Sequence, residues 1–143
     1  MSDAPTLEQK KAVIRVLGDL LRHNKVQVSD SDYSYFVYLG VKVLQLKEED
    51  MMDAQSNRFS FNWLSLINDL SPLYQLAFKQ LMIALLTHDG RYASALEKED
   101  FVKYLSVLFN PSGLSLSFDS VKQQVQNELQ RLYQNSNRLL PWI

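Results

Sequence analysis

Four carboxylates lie close together in the second half of the chain: Asp89, Glu97, Glu99 and Asp100. Grouped carboxylate oxygens are the ligands that hard cations such as Ca²⁺ or Mg²⁺ take, and calcium asks for six to eight oxygens. The spacing is not that of an EF-hand loop. The same residues also have a purely structural reading. Asp89-Gly90 is a helix stop with the glycine in a left-handed conformation, and acidic residues favour the positive end of the helix that follows. That reading is preferred, and no cofactor is required by it. Asn24, Asp30 and Asp32 form a poorer set, because Lys25 opposes a second cation there. His23 and His88 close two predicted helices, where an imidazolium is favoured. An acid–base pair is conceivable, but surface or capping roles are expected. Cysteine is absent, which removes thiolate metal sites and a cysteine nucleophile. There is no Gly-rich phosphate loop, no His-Glu-x-x-His pair and no Gly-x-Ser-x-Gly elbow. The chemistry-bearing residues therefore point away from an enzyme.

The remaining candidates are aromatic. Phe59, Phe61 and Trp63 sit in one short segment, and Trp142 lies in the apolar tail Leu139–Ile143. Exposed, they make a docking patch for a protein partner or a homodimer surface. Buried, they close a bundle, and the usual coverage of Trp and Phe favours burial. Tyr33, Tyr35, Phe36 and Tyr38 cluster on one predicted helix and are expected at a packing seam. With 15 basic and 16 acidic residues and a net charge of -1, the chain lacks the basic excess of a nucleic-acid binder.

The elements that must carry these residues are helical. Four glycines and four prolines in 143 residues are few for an all-β protein. Apolar residues recur at spacings of three and four, the period of an amphipathic helix. Thr6 and Gln9 form a capping box before a stripe of Val13, Val16, Leu17, Leu20 and Leu21. Ser29 to Asp32 opens a second helix with Phe36, Val37, Gly40, Val41 and Leu44 on its apolar face. Lys47 to Asp50 opens a short acidic helix with Met51 and Met52. Ser60 precedes a segment holding Trp63, Leu66, Ile67 and Leu70. Pro72 suits a first helical position ahead of a helix from Leu73 to Leu85 with almost no charge, expected to be the most buried. Ser94 and Glu97 make another capping box before Phe101, Leu105 and Leu108. Asn110 to Gly113 is a turn, and Ser117 caps a last helix through Val121, Val125, Leu129 and Leu132. The fold class is all-α, a compact bundle of about seven helices in a single domain spanning 1–143.

The chain also repeats itself. Leu20-Leu21-Arg22-His23-Asn24 precedes Leu85-Leu86-Thr87-His88-Asp89 by 65 positions. The amphipathic helix that follows includes Tyr35 to Leu39 in the first unit and Phe101 to Leu105 in the second, and Leu44 to Met51 matches Leu114 to Val121 at an offset of 70. The units cover about 10–57 and 72–137. Two such units are too few for an open solenoid and are expected to share one core.

This layout resembles the tellurite-resistance TerB-like helical domains. The resemblance lies in Leu85-Leu86-Thr87-His88-Asp89-Gly90-Arg91, followed by Glu97, Glu99 and Leu105. The first unit keeps the shape, with Asn24-Lys25 in place of Asp-Gly. The resemblance implies a non-enzymatic protein-interaction module in a stress-response or membrane-associated complex of a bacterial cytoplasm. It also implies acidic inter-helix loops able to take a divalent metal, so a metal-binding sensor is one alternative. A helical small-molecule binder with a polar-lined cavity is another. The start of the chain shows no signal-peptide pattern, and no apolar run is long enough for a transmembrane segment; a cytoplasmic location is the expectation.

Overall fold

A computed structural model describes residues 4–22, 28–56, 63–90, 93–109, 116–133, 139–140 and 142. Among these there are seven α-helices and no strand: α1 (Leu7–Arg22), α2 (Asp30–Tyr38), α3 (Glu48–Gln55), α4 (Trp63–Asn68), α5 (Pro72–Thr87), α6 (Ala95–Val107) and α7 (Phe118–Tyr133). The all-α expectation is met.

Local chemistry sets the helix ends. Thr6 and Gln9 cap α1 reciprocally, Gln9 N donating to Thr6 Oγ1 at 3.1 Å and Thr6 N to Gln9 Oε1 at 2.9 Å. The side chains thus replace intrahelical partners that a first turn lacks. Ser29 Oγ accepts from Asp32 N at the start of α2, and Ser117 Oγ accepts from Ser120 N before α7. Pro72 occupies the first turn of α5, where its missing N–H costs nothing.

The second helix departs from expectation. From Leu39 to Val43 it widens into a π-helical turn, with Leu44 N donating to Leu39 O at 2.9 Å. Gln45 then takes φ 58°, and Leu46 N returns to Gly40 O at 2.9 Å, ending the helix. Gly40 is closely approached: a Cβ there would lie 2.5 Å from Met51 Cε, and the methionine end would have to shift. The absent side chain lets the thioether of α3 rest on the turn.

α1 lies at the centre, packed against α2, α3, α4, α5 and α6. Its buried set is broader than a stripe, because Ala12, Ile14 and Gly18 are covered along with Val13, Val16, Leu17, Leu20 and Leu21. α5 buries nine residues, among them Phe78, Leu81, Met82 and Leu85. One continuous core joins α1 and α5 to Phe36, Ala54, Ile67, Phe101, Phe118, Val125 and Leu129.

The repeat spacing reappears in the elements. Leu7 and Pro72, Arg22 and Thr87, and Asp30 and Ala95 are each 65 positions apart, and Glu48 and Phe118 are 70 apart. So α1-α2-α3 and α5-α6-α7 start in matching order, with α4 as the connection.

The tail belongs to the core. Leu140 N donates to Gln80 Oε1 at 2.8 Å, and Trp142 is 1% exposed, its ring 5.3 Å from that of Tyr74. Trp142→Ala should therefore cost about 3–5 kcal/mol, read as a lowered urea midpoint. A change below 1 kcal/mol would mean that the tail does not close the bundle in solution.

Candidate functional site

Of the four acidic residues, Glu97, Glu99 and Asp100 have described side chains, and these three do not gather as a ligand set. Glu97 is buried and completes the cap of α6: Ser94 N donates to Glu97 Oε1 at 3.0 Å, and Glu97 N to Ser94 Oγ at 3.2 Å. Asp100 is buried one turn later. Glu99 faces outward and pairs with Lys103 at 3.5 Å. Neighbouring positions on a helix point in different directions, so Glu99 cannot join Glu97 and Asp100 on one face. The Asp89 side chain lies outside the description, and Gly90 has φ 75°, the left-handed helix stop. Among the described residues no three His, Asp or Glu side chains are placed to hold a metal.

The aromatic candidates divide. Phe59 and Phe61 lie outside the described residues. Trp63 is half-buried, its ring 6.1 Å from that of Tyr104. Trp142 sits in the core and presents no surface for docking. It is excluded as an exposed anchor because the Gln80–Leu140 hydrogen bond and the Tyr74 ring draw the tail inward.

His88 corrects the surface reading. It is buried, with Nε2 2.7 Å from Asp32 Oδ1 and its ring 4.6 Å from Tyr35 at an interplanar angle of 8°. Asp32 belongs to the first unit and His88 to the second. The signal was present in the sequence as an acidic residue at the third helical position after the Ser29 cap, but its direction depends on how α2 docks on α5.

A surface that sequence reasoning missed lies between α2 and α3. Tyr33, Val37 and Val41 line one wall of a groove, and Met51 and Met52 line the other, with Phe36 beneath. The groove encloses about 540 Å³. Tyr33 is 60% exposed, Met52 68% and Val41 38%. The seam expectation holds for Phe36 and Tyr35, whereas Tyr33 and Tyr38 face solvent. Arg22 and Glu48 add one charge of each sign to the lining.

The second unit supplies an internal comparison. Positions 65 residues beyond Tyr33, Val37 and Val41 are Lys98, Val102 and Ser106, and 70 beyond Met52 is Lys122. There Lys98 Nζ lies 5.6 Å from the Phe118 ring centre and 3.8 Å from Asp119 Oδ1. A cleft also lies between α6 and α7, and the two differ in side-chain type: Lys98, Lys103, Val102 and Val107 line it in the second unit, where Tyr33, Val37, Met51 and Met52 line the groove of the first.

Comparisons of the chain with protein-family models, with curated proteins and with solved structures give no significant match.

Two predictions follow from these contacts. Removing one member of the His88–Asp32 pair takes a 2.7 Å contact from the other in a buried place, so Asp32→Ala and His88→Ala should each lower stability by about 1–3 kcal/mol. Their double-mutant cycle should show coupling of about 0.5–3 kcal/mol; additive losses in urea unfolding would mean the contact is absent in solution. Separately, burial, and then the negative charges of Asp19 and Asp100, push the Tyr104 phenol up to about 12. The folded chain keeps it neutral where the unfolded chain ionises near 10. Stability from this group is full below pH 10 and falls as pH rises toward 12. Phenolate absorbance compared between the native chain and Tyr104→Phe should show one tyrosine titrating late.

Proposed function

We propose that this chain is a non-enzymatic protein-interaction module of TerB-like type, and that its groove between α2 and α3 seats an amphipathic helix of a partner protein. The reading rests on one observation: Tyr33, Val41 and Met52 are open to solvent on the two facing walls of one groove. Exposed apolar surface of this kind is associated with interaction sites. Methionines adapt to irregular partners, and a wall with side chains four positions apart suits the anchors of a docked helix. With Arg22 opposed by Glu48, the lining carries no net charge. Affinity then comes from apolar contact and is nearly insensitive to salt.

A bacterial cytoplasm, and a stress-response or membrane-associated complex, are the setting that the TerB-like layout suggests. No helix among the described residues is long and apolar enough to cross a membrane.

A photo-crosslinker at Val41 of the full chain, expressed in its native host, tests the idea against the same reagent at Ser106. The expected result is a discrete adduct from Val41 and none from Ser106, with the attached segment of the partner helical in sequence pattern. A synthetic peptide of that segment should bind the native chain. Tyr33→Lys with Met52→Lys should weaken it about tenfold or more, a loss of roughly 1.4 kcal/mol, while stability moves by no more than about 0.5 kcal/mol per site. Equal labelling from both positions would overturn the proposal. An adduct between two copies of this chain would replace the partner helix with a homodimer.

A further inference from the structure

A second cavity lies where the two units meet. α5 supplies Gln80, Ile83, Ala84 and Thr87, followed by His88. α7 supplies Lys122, Val125, Gln126 and Leu129, α2 supplies Tyr35, and the tail supplies Leu139. It encloses about 230 Å³. A dry cavity of about 150 Å³ holds benzene, so this one has room for a ring and one small polar group.

Its lining is two-sided. Ile83, Ala84, Val125, Leu129 and Leu139 form an apolar wall, and Lys122, Gln126, Tyr35 and His88 bring polar atoms. Asp32 and His88 are engaged with each other, and the face of His88 is covered by Tyr35. Lys122, half-buried, makes no ion pair among the described residues. One unopposed ammonium beside an apolar wall matches one negative charge carried on an apolar body. A dianion such as a phosphate monoester would leave a charge unmatched in this partly enclosed place, close to Asp32.

We infer that the cavity between α5 and α7 binds a small monocarboxylate with an apolar body of about benzene size, its carboxylate on Lys122 and its body against Ile83, Ala84 and Leu129. The site is independent of the groove between α2 and α3, and neither reading needs the other.

Benzoate is the probe. Sodium benzoate titrated into the full chain, followed by methyl NMR, should give saturable shifts at Ile83, Ala84, Thr87 and Leu129. Benzyl alcohol, which keeps the ring and drops the charge, should bind about tenfold more weakly, roughly the worth of one charge-assisted hydrogen bond. Lys122→Met should weaken benzoate by a similar factor and leave benzyl alcohol unchanged. Ala84→Leu, which fills the space, should abolish both; should it disturb the fold, the Lys122→Met comparison still decides. Absence of saturable shifts, equal affinity for benzoate and benzyl alcohol, or benzoate binding unaltered by Lys122→Met would each overturn the assignment.

Discussion

The structure depends on the burial of α1. A helix contacted by five others must be apolar over most of its circumference, and α1 achieves this with Ala12, Val13, Ile14, Val16, Leu17, Leu20 and Leu21. Where polar residues remain, they serve its neighbours. Arg15 donates to the carbonyls of Ala54 and Ser56 at the end of α3, which are unpaired within the helix. Gly18 gives α3 a close approach, since a Cβ there would meet the Gln55 amide at 2.6 Å. Arg22 hydrogen-bonds to that same Gln55. The position of α3, and with it the Met51–Met52 wall of the groove, is therefore set from α1.

Much of this was readable because helix caps are local. Thr6 with Gln9 and Ser94 with Glu97 announce their helices through hydrogen bonds spanning three residues, and no tertiary contact is needed to place them. The 65-position spacing is likewise a property of the chain alone, and the starts of α1 and α5 and of α2 and α6 follow it. The widened turn after α2 was not readable in this way. The pattern Phe36, Val37, Gly40, Val41, Leu44 fits an ordinary helix, but Leu39 and Leu44, five apart, are both fully buried. Their direct hydrogen bond brings them to one side, and Met51 resting on Gly40 from another helix makes room for it. His88 and Trp142 escaped for the same reason: the partners that bury them, Asp32 and Tyr74, lie far away in sequence. The apolar groove was hidden by periodicity itself, which finds an apolar face without telling whether anything covers it.

The two halves, compared at the 65-position spacing of their helices, differ in a patterned way. Positions facing the shared core keep their character: Leu20 and Leu85, Leu21 and Leu86, and Phe36 and Phe101 are all buried. Positions facing away from it are free to change. Tyr33 against Lys98 is a change of this outward class, so it carries information that the core positions cannot. The buried cap acids show an intermediate case. Asp32 and Glu97 both occupy the third helical position after a serine cap, with the backbone N–H of each donating to the serine. Glu97 bends back to its own cap, and Asp32 meets His88 of the other unit.

That difference gives α2 its double role. On one side Asp32 and Tyr35 tie it to His88 at the end of α5, and a dispersion and hydrogen-bonding contact of this kind fixes both rotation and position. On the other side Tyr33, Val37 and Val41 are thereby turned outward, because residues one and two positions apart on a helix cannot share a face. The π-helical turn then lets the chain end on Leu44 in the core without pulling Val41 in after it. The exposure of the groove is thus a consequence of how the helix is held from behind. A change that loosens the Asp32–His88–Tyr35 contact should blur the groove before it unfolds the bundle, since α1, α5 and the rest of the core do not depend on that contact.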